Sequence, residues 1–299
     1  MNKKTFGTIA CMVSAIYFGF MPFFTTMAYE DGATPMTVST LRFVISIPVL
    51  WVIVKIRKAD FKLNAVQLRD ISLLATVGQG LTTVLIFTSY TLLNTGTATT
   101  IHFMYPACTI LGCAIFLKER IPARKLICVI LCTAGIILFY NGGGNISGLG
   151  VTLAFASSIS YAFYSIYLEH SFAAKVDSFV MLFYLSIIGA VMLGLMAVFT
   201  GQLSFDFGLK GWIACTIIAV FNTCVGAYGF QIGVKYIGAQ NTTMLSTLEP
   251  VTSIIVGMIA YNEGFTVKTL VGTICIIIST LIVAKSAAGE EEKEADKEE

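Results

Sequence analysis

Ten apolar runs separated by short polar knots restrict this chain to one kind of environment. They lie at 5–28, 36–54, 71–93, 96–117, 124–140, 149–168, 178–200, 211–233, 239–261 and 267–285. Each is about 20 residues long, enough for a helix to cross the roughly 30 Å hydrocarbon core of a bilayer. Only 12% of the residues are charged, against about a quarter in an average soluble domain. A water-soluble globule of this length cannot bury so much apolar chain at once. Lipid offers backbone amides no partners, so each run is expected to be helical. The predicted class is an all-α integral membrane protein with ten transmembrane helices.

Charge sets the expected orientation, because lysine and arginine collect on the cytoplasmic side. "KIRKADFKLNAVQLR" and "KERIPARK" hold nine of the 19 basic residues, and Lys3, Lys4, Lys175, Lys235 and the tail lysines fall on the same side. Only Lys210 and Lys268 fall opposite, with Arg42 inside a run. A multi-pass protein of the cell (plasma or inner) membrane with both termini cytoplasmic is expected. The first run is too long for a signal-peptide core and lacks a small-residue cleavage site, so it is read as a retained span. The eight cysteines all fall within runs and form no CxxC pair, which predicts small hydrophobes without disulfides or a metal site. The tail at 286–299, ending "GEEEKEADKEE", has no apolar periodicity and is expected to be disordered.

A repeat runs through the chain at a spacing of 144. Pro106 and Pro250 are related by it, as are Glu119 and Glu263, and "SAIY" (14–17) maps onto "SISY" (158–161). Thr99-Thr100 and Thr242-Thr243 recur one residue out of register. The implied organisation is a first repeat at 1–140, an outer linker at 141–148 and a second repeat at 149–285. Five runs per repeat is an odd number, so the second enters the membrane from the opposite face. A 5+5 inverted-topology repeat of this kind favours a carrier with a site at the repeat interface.

The order "YFGFMPFFTTMAYEDGATPMTVSTLRF", "YTLLNTGTATT", proline then "KE", and a second "YIGAQNTTMLSTLEPV" ending in "NE" resembles the drug/metabolite transporter superfamily, EamA type. The resemblance covers roughly residues 5–285. It places Gly19, Pro35 and Arg42 in the first two spans, and Pro106 with Glu119 and Pro250 with Glu263 at the close of each repeat. A tryptophan often found before the first-span glycine is Phe18 here. The resemblance implies a ten-helix secondary carrier for small metabolites, often an exporter of amino acids or related compounds.

Ionisable groups at membrane depth are costly and mark candidate sites. Glu249 lies near the middle of its run, and Pro250 beside it is expected to free the carbonyl of Ser246. By the repeat, Tyr105 is the counterpart of Glu249 and His102 that of Ser246, so these four are expected to converge on one cavity. Glu249 is a candidate proton-coupling group; the alternative is a structural carboxyl that locks two helices. His102 either shuttles protons or binds a substrate carboxylate, or else satisfies a carbonyl. Arg42 either snorkels to the surface, pairs with Glu249 or meets an anionic substrate. Gln79 and Asn222 match in depth, as do Tyr17 and Tyr161, and are expected to line the pocket or to hold helices together. Pro106 and Pro250 are the expected helix breaks.

No HExxH, GxSxG or Walker A pattern is present, and "NGGGNISG" lacks the lysine of a phosphate loop. The expected protein is not an enzyme and uses no cofactor and no nucleic acid. The expected partners are a small polar metabolite, protons and the lipid bilayer, with the chain acting as monomer or homodimer. The function read from the sequence is a secondary active exporter of small polar metabolites such as amino acids, working by alternating access. The alternatives are a passive channel or facilitator, and a non-transporting membrane receptor or scaffold.

Overall fold

Caps and prolines set most of the helix limits. A computed structural model describes residues 2–90, 92–93, 95–119, 121–138, 147–261 and 267–298. Helix α1 (Lys3–Glu30) opens on Asn2, whose side chain accepts the Lys3 N–H. Helix α2 (Pro35–Ile56) starts with proline, at the one place where the missing N–H has no partner to lose. Thr34 caps it through Oγ1, 3.1 Å from the Thr37 N–H. Asn64 and Gln67 form a reciprocal capping box at α3 (Ala65–Leu73). A π-helical stretch, Leu74–Gly80, joins α3 to α4 (Leu81–Tyr90). Then come α5 (Thr95–His102), α6 (Tyr105–Phe116), α7 (Ala123–Leu138), α8 (Gly148–His170) and α9 (Ser178–Phe199). A second π-helical stretch, Ile218–Gly226, joins α10 (Leu209–Ile217) to α11 (Ala227–Leu245). The chain ends with α12 (Leu248–Tyr261) and α13 (Val267–Glu298).

No strand occurs among the described residues. Among the described residues, six helical segments are long and apolar enough to cross a membrane: Lys3–Glu30, Pro35–Ile56, Ala98–Phe116, Gly148–His170, Ser178–Phe199 and Leu209–Leu245. The protein is therefore a multi-pass membrane protein. Its burial pattern agrees: Phe116 and Phe199 are 81% and 85% exposed, while Ser14, Ser46, Thr109, Ser157 and Ser165 are buried. Large apolar side chains facing outward suit lipid, and hydroxyls facing inward can bond to helix carbonyls.

The π-helical stretches begin at Leu74 and Ile218, the same 144-residue spacing as the sequence repeat. Packing carries the relation further. Helix α1 lies against α10, the second π stretch, α11 and α12, whereas α8 lies against the first π stretch, α4, α5 and α6. Helix α2 pairs with α9, and α7 with α13. Each half thus supplies walls for the other.

The helices are interrupted directly before the two prolines, at 103–104 and 246–247, and Pro106 and Pro250 sit in the first turns of α6 and α12, where a missing N–H costs little. One expectation about backbone is corrected: the Ser246 carbonyl is not free, because it accepts the Glu249 N–H at 3.0 Å. The tail differs as well, since α13 continues through it to Glu298. Glutamate, lysine and alanine are strong helix formers, and an apolar helix ahead of them supplies the nucleus. Most of the linker, at 141–146, and Glu263 lie outside the described residues.

Just outside the third run, Asp70 ties three elements together. Its carboxylate accepts from Arg69 Nη2 at 2.7 Å, the Tyr167 hydroxyl at 2.9 Å and the Phe172 N–H at 2.9 Å. Burial alone would raise its pKa, but these donors outweigh burial and hold the carboxyl below the usual aspartate range. A depressed native pKa adds stability above about pH 4, and that stability is lost as pH falls through the lower native value. Asp70→Asn is expected to cost about 1–3 kcal/mol at neutral pH and to flatten the acid limb of stability. Thermal unfolding midpoints of the two proteins, followed from neutral to acid pH, check both.

Candidate functional site

The two π stretches widen the helices where the halves meet. A π turn carries one extra residue, so the side chains beyond it are re-aimed and carbonyls lose their regular partners. Those carbonyls are taken up across the interface: Ser160 Oγ donates to Val77 O at 2.5 Å, and Ser14 Oγ donates to Gly226 O at 2.5 Å. Each bond joins one half's first helix to the other half's π stretch. Gln79 and Asn222, one in each π stretch, both reach the same cavity.

That cavity has a volume of about 730 Å³. It runs from the level of Tyr161 and Asn222 to Thr26, Tyr29 and Pro35, around the connection between α1 and α2. Arg42, Gln79, His102, Tyr105, Tyr161, Asn222, Glu249 and Pro250 all line it. Ser246, Tyr17 and Pro106 do not. Ser246 is buried beside Cys11, with its hydroxyl on the Thr242 carbonyl at 2.9 Å. Tyr17 stacks on Phe221 and contributes its carbonyl, which accepts Asn222 Nδ2–H at 2.9 Å. Asn222 is thereby held at the wall by its neighbour helix.

Glu249 is the second residue of α12. Sequence places it in mid-run, yet the structure begins a helix there, so the carboxyl stands at a helix N-terminus beside the cavity. Such a terminus presents free N–H groups and the positive end of the helix dipole. Tyr105 and Tyr161 line the same cavity. The ion pairs among the described residues are Arg57–Asp177 and Arg69–Asp70, so Glu249 and Arg42 do not pair.

His102 ends α5 and packs among Tyr105 and Tyr161, with ring centroids 5.6 and 5.8 Å away. Its Nδ1 lies 2.9 Å from Ser157 Oγ. The single Ser157 proton is committed to the Ala154 carbonyl at 2.6 Å. Ser157 therefore accepts from His102 Nδ1–H, which leaves Nε2 as an acceptor. Arg42 does not snorkel. It lies over the Phe43 ring at 4.6 Å, its Nη1 is 4.0 Å from Met21 Sδ, and its buried Nε has no hydrogen-bond partner.

Sequence reasoning missed the hydroxyl wall made by Thr25, Thr26, Thr82, Thr83, Thr99, Thr100 and Thr223. The available signal was threonines recurring on apolar helices, which also arises where a hydroxyl only bonds back to its own helix, as Thr83 does to Gln79 O at 2.9 Å.

The model of the EamA-like transporter family matches the chain twice, over residues 5–141 and 148–285. The chain belongs to the EamA-like transporter family. Membership implies a small-molecule substrate and a place in the membrane. Among its relatives, an uncharacterized transporter of Archaeoglobus fulgidus is 23% identical over 88% of this chain and 93% of its own length. The uncharacterized transporter YyaM of Bacillus subtilis is 23% identical over 83% and 84%. A third, from Clostridium kluyveri, is 20% identical over 92% of both. A crystal structure at 17% identity superposes with a TM-score of 0.81, covering 95% of this chain and 98% of that one, which shows the shared fold. The protein is a transporter.

Proposed function

We propose that this transporter is a secondary active exporter of a small polar metabolite, such as an amino acid, built from ten transmembrane helices in a 5+5 inverted repeat. Both termini lie in the cytoplasm. The substrate occupies the 730 Å³ cavity, and protons are the coupling ion through Glu249. The observation that carries this reading is a cavity walled by both halves that holds a carboxyl at a helix start. Carriers of inverted-repeat design place their sites in this way.

Alternating access fits the asymmetry of the cavity. It reaches one side around Thr26 and Pro35, while the side carrying the N-terminus is closed by α1 on α11. Polar ties reinforce that closure. Gly238 (φ 79°) interrupts α11, a conformation glycine alone adopts without strain, and the Ala239 N–H after it donates to Glu169 Oε2 at 2.6 Å. Gln240 donates to Glu119 and accepts from Lys125 Nζ at 3.1 Å. These bonds break when the site turns to face the cytoplasm.

Counterflow tests the reading. Liposomes holding the protein and preloaded with one unlabelled amino acid should take up the labelled form faster than unloaded ones. Flux without that acceleration would indicate a channel instead.

A further inference from the structure

We propose that Arg42 is the subsite for a carboxylate, so that the substrate class is small metabolites bearing one. This rests on the transport reading above and names the chemistry of its cavity. Arg42 lies in the N-terminal half of α2 and lines the cavity together with Tyr161, Gln79 and Asn222. A guanidinium cannot shed its charge by losing a proton, so away from water it needs an anion or a set of acceptors. The structure supplies neither. Met21 offers a thioether, a weak acceptor, at 4.0 Å, and Phe43 offers a ring face. Nε is buried without a partner. No carboxylate within ion-pair distance answers it among the described residues.

Among the described residues, Glu249 is the one acidic side chain lining the cavity, and it makes no ion pair with Arg42. A buried charge left without a counter-charge marks the position of a ligand's opposite charge. Asn222 and His102, by contrast, are each held by a neighbour. Because Nε is buried, the terminal guanidinium nitrogens meet the anion. Two such nitrogens accept both oxygens of a carboxylate in a planar fork, which a lysine ammonium does not reproduce. The Phe43 ring lies against the guanidinium, its centroid 4.6 Å from the guanidinium carbon.

The test uses matched pairs: L-leucine with L-leucinamide, L-threonine with L-threoninamide, and acetate with acetamide. Binding to purified protein is read as a ligand-induced rise in the unfolding midpoint, and exchange is read by counterflow in liposomes. The carboxylate of at least one pair should bind wild type roughly tenfold to a hundredfold more tightly than its amide. Arg42→Gln should abolish that preference, and Arg42→Lys should keep part of it. A general packing defect would weaken both members of a pair alike and leave their ratio unchanged. Amides binding as well as carboxylates, or a preference intact in Arg42→Gln, would overturn the Arg42 subsite while counterflow left the transport reading standing. No counterflow with any compound, acid or amide, would remove both.

Discussion

Glu249→Gln is expected to reduce substrate-driven proton entry to the level of empty liposomes. Glutamine keeps the shape of the side chain and its place at the start of α12, but it cannot release a proton. The carboxyl lines the cavity together with Tyr105 and Tyr161. Substrate and proton would therefore compete for, or share, one volume. A pH-sensitive dye trapped inside the liposomes reads the effect when candidate amino acids are added outside. Counterflow should survive in the variant, because exchange of substrate for substrate needs no net proton movement. The unfolding midpoint discriminates the two roles of this residue. A carboxyl that locks helices would lower the midpoint when replaced, whereas a coupling group held away from any cation would leave it unchanged or raise it. Proton entry equal to wild type would assign Glu249 a structural role and turn attention to His102.

Gly229→Val is expected to have the largest effect on folding. A Cβ at Gly229 would lie 2.4 Å from the Ala10 carbonyl oxygen and 3.0 Å from Ser14 Cβ. The first of these is backbone, so no side-chain rotation relieves it; α1 must move away from α11. Such overpacking costs about 1–3 kcal/mol and more where backbone must shift. The movement would also pull Ser14 from the Gly226 carbonyl, a 2.5 Å bond that anchors the π stretch carrying Asn222. A fall of several degrees in unfolding midpoint, or loss of the monodisperse peak in detergent, is the expected result. A midpoint equal to wild type would show that α1 and α11 are less closely packed than described. Gly148, with nothing near its absent Cβ, is the matched control and should tolerate alanine.

Much of the architecture could be read from the chain because the bilayer makes few exceptions. A helix in lipid must satisfy its own backbone, so an apolar run of about 20 residues has essentially one structure. The first run, at 5–28, and the sixth, at 149–168, accordingly fall inside α1 and α8 with ends a few residues away. The repeat was legible too, since Pro106 with Pro250 and "SAIY" with "SISY" share one spacing. Arg42, Gln79, His102, Tyr105, Tyr161, Asn222 and Glu249 were legible as candidates for the same reason: polarity at membrane depth needs a cause.

Hydrogen-bond partners and helix register were not legible. A hydroxyl on an apolar helix serves the cavity, a neighbouring helix or its own backbone, and composition does not distinguish these. Ser246 sits opposite His102 by the repeat, yet its hydroxyl turns to Thr242 and Cys11. Tyr17 is the counterpart of Tyr161, but only Tyr161 faces the cavity. The π stretches account for part of this, because one extra residue per turn rotates everything beyond it and leaves no mark on hydropathy.

The sequence alone thus determined the solvent, the helical class, the duplication and which polar side chains needed explaining, since each follows from the cost of placing a given group in oil. The tertiary structure alone decided that Glu249 begins a helix, that Arg42 is left without a counter-charge and that Ser246 is turned away. Those outcomes depend on contacts between segments far apart in the chain, which no single run encodes.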